Sequence, residues 1–92
     1  MQSTIEILVS GRVQKVGFRA CIRKIASNLG INGTVSNMED GRVRIIAAGE
    51  TVILEKFLSM IYGCPRATIR DLKVAWLEKK DFEGFSILRN SD

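Results

Sequence analysis

A chain of 92 residues, 46% apolar and 26% charged, has room for one modest core and excludes both a disordered segment and a two-domain enzyme. Its net charge of +4 suits an anionic partner, from a small phosphate to nucleic acid or a membrane surface, without choosing among them. The absence of any histidine excludes more, because it removes Ser-His-Asp and Cys-His nucleophilic systems and the commonest transition-metal ligand. No apolar stretch approaches the roughly 20 residues of a membrane span. The opening Met1-Gln2-Ser3-Thr4-Ile5-Glu6 lacks the basic-then-apolar layout of a signal peptide. One domain over residues 1–92, in the cytoplasm, is the expectation.

Thr4 to Ser10 alternates, with Ile5, Ile7 and Val9 on one side and Glu6 and Ser10 on the other. That pattern predicts a strand with one buried face. Gly11-Arg12-Val13-Gln14-Lys15-Val16-Gly17-Phe18-Arg19 follows. Beyond it Phe18, Ile22, Ile25, Ala26 and Leu29 recur at three- and four-residue steps, which predicts a helix of about three turns stopped by Gly30. A glycine-bearing loop between a strand and a helix start has the layout of an anion cradle. Arg19 falls in the helix's first turn, where a cation opposes the helix dipole unless an anion joins it.

Ile31 to Asn37 reads as a second strand with Gly33 inside it, and Met38-Glu39-Asp40-Gly41 as a turn. Arg42 to Ala48 alternates again, with Val43, Ile45 and Ala47 inward, completing a β-hairpin. Thr51 is the expected N-cap of a second helix, whose apolar face is Val52-Ile53-Leu54, Phe57-Leu58 and Ile61 and which ends at Gly63 and Pro65. From Ile69 the chain becomes extended, with Leu72, Val74 and Trp76 alternating with Lys73, Ala75 and Leu77. A charged link, Glu78-Lys79-Lys80-Asp81, precedes a short last strand within Phe82 to Leu88.

This order predicts an α+β fold, the ferredoxin-like α/β sandwich (βαββαβ): a four- to five-stranded, mainly antiparallel sheet with both helices on one face. The fold by itself does not specify a function. With the helices taken as roughly parallel, Cys21 near the start of one and Cys64 past the end of the other stand about a helix length, roughly 18 Å, apart. Both then read as reduced and partly buried thiols, and no disulfide is expected. The central strands, Ile5-Glu6-Ile7-Leu8-Val9 and Arg42-Val43-Arg44-Ile45-Ile46, offer no aromatic on which to stack a base, which argues against RNA.

The loop resembles the acylphosphatase signature G-x-V-Q-G-V-x-F-R. A second pattern of that family, G-aromatic-V-x-N-x-x-x-G-x-V-x-x-x-x-x-G, is met by Gly33, Val35, Asn37, Gly41, Val43 and Gly49 at the required spacing. Gly63-Cys64-Pro65-Arg66-Ala67 and Phe85-Ser86-Ile87 also resemble it, so the likeness runs from about Ile5 to Leu88. The resemblance implies hydrolysis of acyl phosphates to a carboxylate and inorganic phosphate. It implies catalytic roles for Arg19, holding the phosphate, and Asn37, holding the attacking water. It also implies a phosphate loop of Gln14, Lys15, Val16, Gly17, Phe18 and Arg19. No metal and no organic cofactor is implied. The expected partners are a small acyl phosphate and inorganic phosphate, with no nucleic acid and no membrane, on a monomer. A non-catalytic anion-binding module of the same fold is the alternative.

The residue chemistry suits that substrate independently. Arg19 stays protonated and can clamp a phosphoryl group but cannot act as a base. Asn37 can orient a water but not strongly deprotonate it. An acyl phosphate expels a carboxylate whose conjugate acid has a pKa of roughly 4, so no general acid is needed. Positioning and electrostatics carry the rest. The chain departs from the family pattern at Lys15, where glycine is usual, at Thr34 in place of an aromatic, at Ser36, and at Glu39 where proline is frequent. If position 15 needs a positive φ, lysine adds local strain of about 1 kcal/mol or more; its ammonium also places a second cation beside the phosphate.

Overall fold

In the computed structural model, which describes residues 1–89, the first alternating run becomes the strand β1 (Gln2–Arg12), with Ile5, Ile7 and Val9 buried. The last three residues of the expected 1–92 unit lie outside the described residues. Helix α1 (Phe18–Asn28) buries Phe18, Ile22 and Ala26, the stripe read from the three- and four-residue spacing. Strands β2 (Asn32–Asn37) and β3 (Val43–Glu50) form the hairpin, and α2 (Thr51–Ile61) buries Leu54, Phe57 and Ile61. Glu50, not Thr51, is the N-cap of α2; the Thr51 hydroxyl instead donates to the Met1 carbonyl at 2.9 Å. Strands β4 (Thr68–Leu77) and β5 (Phe85–Leu88) complete the chain.

The strands form one sheet in the order β4-β1-β3-β2-β5, the five-strand end of the expected range. All pairings are antiparallel except that of β5, which lies parallel to β2. Both helices cover one face. The core between them and the sheet joins Ile5, Ile7, Val9, Val35, Val43 and Ile45 to the buried helix residues, with the Phe57 and Phe85 rings edge-on at 6.5 Å. Strand β4 is an edge. Its Val74 and Trp76 stand opposite Ile7 and Ile5 on the helix-covered face, yet Trp76 is 65% exposed because the helices pack over the centre of the sheet.

The structure overturns the expectation for the cysteines. Cys21 and Cys64 form a disulfide with their Cα atoms 6.0 Å apart, and no free cysteine remains. The error lies in the helix directions. β1 and β3 are antiparallel neighbours, and each feeds a helix that returns along the sheet, so α1 and α2 run antiparallel. The beginning of α1 therefore meets the end of α2. Closing 43 residues by a cross-link removes denatured-state entropy worth about 4 kcal/mol in the chain-entropy model. Urea unfolding with and without a phosphine reductant should show a reduced protein about 2–4 kcal/mol less stable; equal midpoints would show that the bridge contributes nothing.

Candidate active site

β1, β2 and β5 run in the same direction, so their C-terminal ends reach one edge of the sheet together. The start of α1 lies at that edge too, because α1 follows β1 directly. The loop 13–17 therefore sits among Arg12, Asn37 and Leu88, the last residues of the three strands. The register of β1 against β4 slips between Ser10 and Gly11. Gly11 has φ 128°, and a Cβ there would stand 2.2 Å from the Thr68 carbonyl oxygen. Only glycine permits that approach, and the bulge there shifts the register of the last two residues of β1, which lead into the loop.

The loop ends at Gly17, the N-cap of α1, in the left-handed region at φ 76°. Among the described residues no side chain caps the helix, and its first turn holds no acidic residue. The helix start thus turns the positive end of its dipole toward the loop, where an anion is favoured. Lys15 also has φ 62°, so the position where the family places glycine does need the left-handed conformation. The cost for an L-residue is about 1–2 kcal/mol, and Lys15 also lines the cavity formed by the loop. Lys15→Gly is expected to raise unfolding free energy by about 0.5–1 kcal/mol, the relief of strain exceeding glycine's extra chain entropy. A thermal melt measures this, and a lower midpoint would show that the lysine is held there by contacts worth more than the strain.

Arg19 is half-buried in the first turn of α1, and its Nη1 is a buried atom; so is Oδ1 of Asn37, a side chain only 5% exposed at the end of β2. The two are tied to a common frame by Gln14. Its Nε2 donates to the carbonyl oxygens of Met38 and Arg42, both at 2.9 Å. Those residues flank the hairpin turn, where the Met38 N–H donates to the Arg42 carbonyl at 2.8 Å and the Gly41 N–H to the Met38 carbonyl at 3.2 Å. Asp40 stiffens the same turn. It accepts from the Arg42 backbone N–H at 3.1 Å and from Nε at 2.9 Å, and these bonds hold its carboxyl below the ordinary value of 3.8. A lowered carboxyl pKa supports the folded state above pH 3.8; that support is lost as pH falls through the lowered value.

A cavity of about 150 Å³ opens at the loop, lined by Lys15, Gly17, Phe18 and Arg19, by Val13 and Ala20, and by Ile87 and Arg89 from the end of β5. Of the residues expected at the site, Gln14, Val16 and Asn37 do not line it. Gln14 turns to the hairpin, Val16 packs against the core, and Asn37 is buried beside them. Phe18 is core as well as wall, being fully buried. Arg89 and Ile87 escaped the sequence reading, because only the parallel pairing of β5 with β2 brings them there. Among the described residues no grouping of three His, Cys, Asp or Glu side chains is placed to hold a metal.

The fold is a five-stranded ferredoxin-like α+β sandwich with a basic loop leading into the start of a helix. The family model for acylphosphatase matches residues 5–87. An acylphosphatase of Archaeoglobus fulgidus is 49% identical over 84 residues, 90% of this chain and 94% of that one. One of Thermus thermophilus is 42% identical over 81 residues, covering 87% and 92%. The crystal structure of the Bacillus subtilis acylphosphatase superposes with a TM-score of 0.90 at 33% identity, covering 97% of this chain and all of that one. The chain belongs to the acylphosphatase family, and its activity is the hydrolysis of acyl phosphates.

Proposed function

We propose that Arg19 and the loop amides hold the phosphoryl group of an acyl phosphate while Asn37 orients the attacking water. The observation that carries this reading is the Gln14 bridge. It ties the loop before Arg19 to the turn after Asn37, so one rigid frame carries both groups. The water oxygen forms a bond to phosphorus as the bond from phosphorus to the acyl oxygen breaks. Its electron pair leaves on the carboxylate, and the two water protons go with the product as dihydrogen phosphate, which then equilibrates with solvent.

The negative charge shared by the three phosphoryl oxygens lies against the Arg19 guanidinium, the loop N–H groups and the helix dipole, which need no rearrangement during the reaction. No proton has to reach the leaving group, since a carboxylate is a stable anion near neutral pH. The roles are tested by turnover of acetyl phosphate and benzoyl phosphate in chelator. Hydrolysis that persists in chelator supports the reading, and turnover that requires an added divalent cation would defeat it.

The physiological unit is proposed to be a cytoplasmic monomer formed by residues 1–92. No helix among the described residues is long and apolar enough to cross a membrane. Light scattering after size exclusion, across a concentration series, tests the monomer; a mass that doubles at micromolar protein would overturn it.

A further inference from the structure

The Cys21–Cys64 bridge joins the helix start that carries the site to the interior of the molecule. Cys21 follows Arg19 and Ala20 in α1, and both of those residues line the cavity at the loop. Cys64 lies just past α2. It is 5% exposed, belongs to the hydrophobic core, and its N–H donates to the carbonyl of the fully buried Ile61 at 3.2 Å. The bridge therefore fastens the turn that bears Arg19 to a fixed point at the end of α2.

Helix ends fray, and a tie at the end of a helix limits that motion. Two other features hold the first turn of α1: Phe18 is fully buried, and the Cys21 N–H donates to the Gly17 carbonyl at 3.1 Å. With the bridge open these keep the turn in place, but Arg19 samples a wider range of positions. Catalysis by positioned charge is sensitive to such displacements, even when they arise away from the reacting atoms.

The bridge is also placed to open. Cys64 is buried whereas Cys21 is only partly so, which makes the Cys21 sulfur the one within reach of an external thiolate. Attack there by a dithiol forms a mixed disulfide with Cys21 and expels Cys64 as a thiolate, which takes a proton. The second sulfur of the dithiol then closes on the first, and Cys21 leaves as a thiolate favoured by the positive end of α1. Two electrons and two protons pass from the dithiol to the protein, leaving a cyclic disulfide and two protein thiols.

We propose that this bridge is a redox switch on catalysis: the disulfide form holds Arg19 in position, and the dithiol form turns over more slowly. The proposal rests on the reading of Arg19 as the phosphate-holding residue and of the protein as cytoplasmic. In that compartment thiol pools keep cysteines reduced, and the disulfides that do form are usually transient. Cys21 and Cys64 are positioning residues, acting through Arg19.

Dithiothreitol without denaturant tests it. Both cysteines should become titratable thiols, with far-UV circular dichroism at the parent intensity. The kcat/KM for acetyl phosphate should fall by about threefold to tenfold and return on reoxidation. Cys21→Ser combined with Cys64→Ser should show the lower rate and ignore dithiothreitol. In Arg19→Lys, whose fork is already lost, opening the bridge should change the remaining rate by less than about twofold.

Thiols that appear with kcat/KM unchanged overturn the proposal, as do thiols that appear only in denaturant. A loss of activity that tracks a loss of circular dichroism makes the bridge merely structural and also overturns it. So does an Arg19→Lys protein slowed by the full wild-type factor, which would show the bridge acting elsewhere. Arg19→Lys matching wild type before any reductant is added would instead defeat the reading of Arg19, so the two failures are told apart.

Discussion

Arg19→Ala should reduce kcat/KM for acetyl phosphate by about 10³-fold or more, the scale of removing a positioned arginine from phosphoryl transfer. Two features of the site set that expectation. Arg19 lines the cavity with its Nη1 buried, so its charge acts in a setting where water screens it poorly. It also stands at the positive end of α1 with no carboxylate in the same turn, a placement that opposes the dipole and becomes favourable only with an anion present. Arg19→Lys keeps the charge but loses the planar fork, and should still lose about 10²-fold. Inorganic phosphate should bind both variants more weakly than wild type by calorimetry, with far-UV circular dichroism at parent intensity. Arg19→Ala turning over within tenfold of wild type would remove Arg19 from the mechanism.

The second large effect belongs to Asn37 and the glutamine that fixes its turn. Asn37→Ala should lower kcat by about 10²-fold with KM changed less than about threefold, because orienting a water matters in the transition state more than in substrate binding. Gln14→Ala leaves the Met38 and Arg42 carbonyls their backbone partners, so its stability cost is modest, about 1 kcal/mol. Its effect on kcat should nevertheless reach about tenfold, since the turn is no longer tied to the loop. The distinguishing measurement is the double variant. If Gln14 acts by holding Asn37, adding Gln14→Ala to Asn37→Ala should cost little further in kcat. Fully multiplied losses would show that Gln14 works elsewhere, and an unchanged kcat in Asn37→Ala would reject the water-orienting role.

Much of this architecture is legible in the residues because its signals are local. The period-two run Ile5, Ile7, Val9 and the helical spacing of Phe18, Ile22 and Ala26 each commit one face to burial, whatever lies opposite. The turn at Asp40-Gly41 is written in turn chemistry, and the hairpin register follows from it. Lys15 is instructive in a different way. Its left-handed backbone was anticipated from the glycine usual at that place, and the structure adds that its side chain also lines the cavity. The backbone is what the strain reading of the substitution requires, and the position in the lining is what the added-charge reading requires.

What was missed depends on direction and partner. The helices were expected to run parallel, which kept Cys21 and Cys64 apart. Their antiparallel course follows from β1 lying antiparallel to β3, a pairing between residues roughly forty positions apart that no window of sequence displays. Arg89 was invisible for the same reason, since nothing near it in the chain says that β5 lies parallel to β2. Gln14 was expected as a member of the phosphate loop. Its side chain instead reaches carbonyls 24 and 28 residues away.

The strand and helix faces, the missing acid–base chemistry and the cradle of Gly11 to Arg19 were determined by the sequence alone. Periodicity, residue pKa and backbone freedom are properties of short stretches and survive removal from the fold. The tertiary structure alone decided that the cradle shares an edge with Asn37, the disulfide and Arg89. That edge exists only because β1, β2 and β5 end together while α1 begins and α2 finishes there, and strand order is a global outcome of burying every apolar face at once.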